Sequence, residues 1–112
     1  MSESKEDVLQ FQQTQQQMQM LVMQKQNIQM QSLEVENALK EIDRVKEDSV
    51  FEIVGNVMIK KSKEEVEKAL KEKKELVDLR TSTLEKQIEK LNEKAVELQK
   101  KMYDKLKEKK KE

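Results

Sequence analysis

The chain is poor in residues that do covalent chemistry. Its 112 residues include no His and no Cys, so imidazole bases, thiolate nucleophiles and the usual transition-metal ligand sets are missing. No Ser can be paired with a histidine base. Asp and Glu number 23, but they are strung along helix-forming runs among 23 Lys and Arg. Such runs make solvated faces rather than a convergent acid–base pair. A single Gly excludes a phosphate-cradling loop. The reading is of a protein that is not an enzyme and has no catalytic, metal-binding or cofactor-binding residue and no cofactor.

What these residues can do is recognise apolar surface. Val50, Phe51, Ile53, Val54, Gly55, Asn56, Val57, Met58 and Ile59 form one concentrated stretch around the only glycine. Val8, Leu9 and Phe11 near the start, with Met102, Tyr103 and Leu106 near the end, form a second group if the chain folds back on itself.

The elements that must position these groups follow from periodicity. From about residue 5 to 48, Phe11, Met18, Leu21, Ile28, Val35, Leu39 and Ile42 recur at heptad spacing, interrupted by Thr14, Lys25 and Ser32. From about 62 to 110 the seam is cleaner: Leu70, Val77, Leu84, Ile88, Leu91, Ala95, Leu98 and Met102. Ser62, followed by Glu65, is a capping box for the second helix. Between them the period changes. Two short strands, Val50–Val54 and Val57–Lys61, flank Gly55-Asn56, where a primed turn needs positive φ. The expected pairs are Val54 with Val57, Ile53 with Met58 and Glu52 with Ile59.

So short a connection turns the helices antiparallel. One register then sets Phe11 against Leu98, Met18 against Leu91, Leu21 against Ile88 and Leu39 against Leu70. The fold class is mainly α: a long antiparallel two-helix coiled coil, a single domain over residues 1–112, with one β-hairpin (50–61) at its bend. A lone hairpin is marginal in water and its edges are open. Phe51, Ile53 and Met58 lie on one face, Val50, Val54, Val57 and Ile59 on the other. Hairpins from several chains are therefore expected to join into a shared sheet or β-barrel.

Composition narrows the partners. Charged residues make up 41% and hydrophobic ones 35%, with no Pro and no Trp, the profile of long helices rather than a compact core. Net charge is +0, so no global field draws nucleic acid or anionic lipid. Residues 1–48 carry five basic against nine acidic residues and 62–112 carry sixteen against thirteen, a bias that weakly favours antiparallel pairing. The start, Met1 to Asp7, is polar and acidic, and no apolar run reaches membrane-span length. The expectation is a cytoplasmic protein with neither nucleic acid nor membrane as partner.

Other features have two readings each. Met20, Met23 and Met30 fall on the outward face: either adaptable binding residues or ordinary exposed Met. The eleven Gln between residues 10 and 31 read best as a neutral solvated face. Lys100 to Glu112, with seven Lys against three acids, is a solvated helix end with a dipole benefit, or a contact for an acidic partner. Lys25, Ser32, Lys74 and Thr81 in the seam either set register or loosen the arm.

Val54-Gly55-Asn56-Val57-Met58-Ile59-Lys60, the acid–base helix through Leu70 to Leu76, Thr83-Leu84-Glu85-Lys86-Gln87 and the Gln-rich opening from Gln10 resemble the β-type subunits of prefoldin, archaeal and eukaryotic β-class. The resemblance covers roughly residues 8–106, and one hairpin rather than two points to the β class. It implies a hexamer of two α-type and four β-type subunits, whose hairpins form a β-barrel platform bearing six coiled-coil arms. It also implies an ATP-independent holdase that grips unfolded client proteins with its tips and passes them to a group II chaperonin. Carried over by position, Val50–Val54 and Val57–Lys61 match the assembly strands. Val8, Leu9, Phe11, Met102, Tyr103 and Leu106 match the tips. The rival reading is a structural coiled-coil scaffold or tether with one specific partner.

Overall fold

The computed structural model describes residues 2–111, with side chains over 5–108. The elements are α1 (Ser2–Asp43), β1 (Ser49–Val54), β2 (Val57–Ser62) and α2 (Lys63–Lys111). The chain divides into two compact units, Met1–Gln26 with Ser82–Glu112, and Asn27–Thr81.

In the first unit α1 and α2 run antiparallel, as shown by the pairs Asp7–Lys105 at 2.6 Å and Lys25–Glu85 at 3.4 Å. Leu84, Ala95 and Leu98 are buried, while Phe11, Met18, Leu21, Ile88, Leu91 and Met102 are half-buried. Two helices alone enclose few large side chains fully, so most of the large seam residues keep one flank in water. Thr14, at 2% exposure, is more deeply buried than any apolar core residue. It interrupts the heptad pattern in type only, because its hydroxyl donates to the Gln10 carbonyl at 2.8 Å. That bond satisfies the hydroxyl inside its own helix.

In the second unit Val35, Ile42 and Val77 are buried. The polar seam residues are matched by neighbours. Lys74 meets Glu36 at 3.6 Å, the Ser32 hydroxyl donates to Asp78 at 3.3 Å, and the Thr81 hydroxyl donates to the Val77 carbonyl at 2.9 Å. Each polar position therefore loses little when water is excluded.

The first helix ends at Asp43, five residues short of the Asp48 expected from sequence. No Gly or Pro marks the stop. The last turn tightens through bonds from Arg44 N–H to the Glu41 carbonyl and from Val45 N–H to the Ile42 carbonyl, both 3.1 Å. Lys63 then holds the linker. Its backbone N–H donates to the Asp48 carbonyl at 2.8 Å, and its ammonium donates to the Val45 carbonyl at 2.8 Å. Each strand gains a serine beyond the expected span because the ladder continues to the Ser49–Ser62 pair. The Ser62 hydroxyl accepts from the Glu65 N–H at 3.1 Å, the N-cap bond anticipated from the capping box.

Candidate functional site

The hairpin follows the expected register: Val54 opposes Val57, Ile53 opposes Met58 and Glu52 opposes Ile59. Gly55 has φ 60°, the only positive φ among the described residues. With Asn56 at negative φ, Gly occupies the first central position in the manner of a type II′ turn. A Cβ at Gly55 would meet nothing within 4 Å, so the glycine answers a backbone requirement and not a packing one.

Alternation along the strands sets Phe51, Ile53, Met58 and Lys60 on one face. Val50, Glu52, Val54, Val57, Ile59 and Lys61 lie on the other. Phe51, Ile53, Val54, Val57, Met58 and Ile59 are all exposed, Ile53 at 71%, and Val50 is half-buried. The sheet has two strands, so the outer backbone groups of both are open to pairing. On the second face Lys61 and Glu52 form an ion pair across the ladder. The Glu52 carboxylate, by hydrogen bond first and by charge second, raises the Lys61 ammonium above the ordinary 10.5.

The second candidate group lies in the first unit, where the Asp7–Lys105 pair joins the start of α1 to the end of α2. Around this pair Val8, Leu9, Tyr103 and Leu106 are exposed, while Phe11 and Met102 are half-buried. The Lys107 ammonium stands 5.0 Å from the Tyr103 ring centroid, a cation–π distance that orients the ring. Two lysines of the basic end thus have intramolecular partners; residues 109–112 of that run lie outside the described side chains.

Met20, Met23 and Met30 are exposed as their heptad positions required, and Met18 is half-buried in the seam. Sequence reading passed over Val22, Leu33, Leu76, Leu79 and Val96, which are also exposed. Their signal was an apolar type at a position off the seam. Among the described residues, no group of three potential metal ligands occurs, and no helix is long and apolar enough to cross a membrane.

Two long helices with a bare, edge-open hairpin between them define a helical assembly subunit. The prefoldin subunit family model matches residues 5–109. Prefoldin subunit beta of Archaeoglobus fulgidus is 40% identical over 98 residues, covering 87% of this chain and 84% of that protein. Prefoldin subunit beta of Thermococcus onnurineus is 42% identical over 89 residues, covering 79% and 77%. The crystal structure of the prefoldin beta subunit from Thermococcus strain KS-1 superposes with a TM-score of 0.87 at 36% identity, covering 93% of this chain and 92% of that one. The chain belongs to the prefoldin family, in its β class, and so to a class of chaperone subunits.

Proposed function

We propose that the chain is the β-type subunit of a cytoplasmic prefoldin hexamer of two α-type and four β-type subunits. The hexamer acts as an ATP-independent holdase that captures unfolded client proteins with its coiled-coil tips and delivers them to a group II chaperonin. The observation that carries the reading is the exposure of Val8, Leu9, Tyr103 and Leu106 around the Asp7–Lys105 pair. Apolar groups left in water at paired helix ends are disposed to meet apolar segments of other proteins.

One such patch is small and binds weakly. Several patches around a shared cavity raise the effective concentration, so combined binding is tight yet reversible. Release by handover to a partner needs no nucleotide. The hairpin, with Val50, Phe51, Ile53, Val54, Val57, Met58 and Ile59 on its faces and Gly55-Asn56 at its turn, supplies the assembly contacts.

The test is to trim residues 1–12 and 101–112. The reading expects an intact hexamer by native mass and weakened protection of a denatured client against aggregation. Unchanged protection would remove the tips from the mechanism and favour a tether that serves one specific partner.

A further inference from the structure

Within the second unit a pocket of about 270 Å³ opens between the hairpin and the first turns of α2. Val66, Ala69 and Leu70 line it together with the charged side chains of Glu52, Lys61, Glu65 and Lys73. Glu52 and Lys61 already pair with each other. Among the described residues no buried polar side-chain atom lacks a partner. Val66, Ala69 and Leu70 give the pocket an apolar wall that a side chain arriving from outside can cover. An apolar cavity of ~150 Å³ accepts benzene, so this one has room for a phenyl ring.

The chain does not fill the pocket itself. Ala69 offers one methyl. Phe51, the only aromatic residue of the hairpin, neighbours Glu52 and so lies on the opposite face, where it is 61% exposed. A second observation calls for an occupant from outside. Register between paired strands is ordinarily enforced because a one-residue slip moves apolar side chains into water. This hairpin is apolar on both faces, so a slip between two hairpins meets little penalty. Something other than the apolar pattern must select the register. Glu52 and Lys61 belong both to the pocket lining and to the strands with open edges. A strand arriving from a second copy therefore comes alongside the pocket.

We infer that the pocket at the root of the hairpin receives Phe51 from the hairpin of a second copy of this chain, and that this insertion fixes the register of assembly. The inference rests on the hairpin being the assembly element, and the test separates the two. Association of the chain alone is followed by sedimentation, with helix content checked by circular dichroism. Ala69→Phe fills the pocket from within its own subunit and weakens association at least tenfold. Phe51→Ala weakens it similarly. The double variant is no weaker than either single variant, because both changes remove the same contact. An assembling parent that is broken by Ile53→Asp but indifferent to Ala69→Phe and Phe51→Ala would overturn the pocket and leave hairpin assembly standing. A double variant whose loss is the sum of the two single losses would also overturn it. A parent that stays monomeric would overturn the insertion between copies of this chain and leave assembly with α-type subunits standing.

Discussion

Ile53 and Met58 face each other across the hairpin, and both are largely exposed. Burying a side chain of this size contributes ~1.5–3 kcal/mol, and about 1.4 kcal/mol is tenfold in an equilibrium constant. Ile53→Asp removes that contribution and adds a charge that must be desolvated in the assembled state. The expected result is association weakened by well over tenfold with helix content unchanged, measured by native mass spectrometry across a dilution series.

Gly55 carries φ 60° with open space where a Cβ would stand. Gly55→Ala therefore tests backbone conformation alone. An L-residue in this region costs ~1–2 kcal/mol, and Asn tolerates it better than Ala. Gly55→Ala should lower the melting temperature of the assembled protein, and Gly55→Asn should lower it by less.

The seam offers a pair of opposite predictions. Leu84 is buried, and Leu84→Ala should destabilise by about 2 kcal/mol, the low end for core truncation because two helices can close on a small cavity. Thr14→Val keeps the shape and replaces a buried hydroxyl bonded only within its own helix. The Gln10 carbonyl retains its helical partner, so this variant should be stabilised by up to about 1 kcal/mol. Thermal melts of the two variants should move in opposite directions.

Lys61 gives a signed pH effect. Glu52 raises its ammonium above 10.5 in the folded hairpin. The contribution is therefore complete below the unfolded lysine value and is lost as pH rises through the folded one. Stability of the assembled protein should be indifferent to this pair through neutrality and decline only above about pH 10.5. Glu52→Gln should remove that part of the alkaline decline. The effect is small because the pair is solvent-exposed. Melts across the alkaline range compare the two proteins.

The hairpin was legible in the sequence to the residue pair, because one glycine, a two-residue turn and β-branched flanks leave a single register. The helix seams were legible as positions, since heptad spacing assigns a face whatever residue fills it, Thr14 included. The end of α1 was not, because it is set by the linker's attachment to Lys63 and no local breaker marks it. The pocket at Val66, Ala69 and Leu70 was hidden for a related reason. It exists only once the hairpin is placed beside α2, and nothing in the period of either element reports that placement. The exposed residues near the helix ends were identified by type, while the Asp7–Lys105 pair depends on an interhelical register too fine for the pattern; Lys107 over Tyr103 is an i,i+4 pair within α2 that helical spacing alone could have found.

The central claim is most directly tested by mixing the chain with an α-type prefoldin subunit and following aggregation of an unrelated denatured protein without nucleotide. Native mass is recorded on the same samples. The account predicts a hexamer that suppresses aggregation at near-stoichiometric amounts. A well-formed hexamer that leaves aggregation untouched would contradict it.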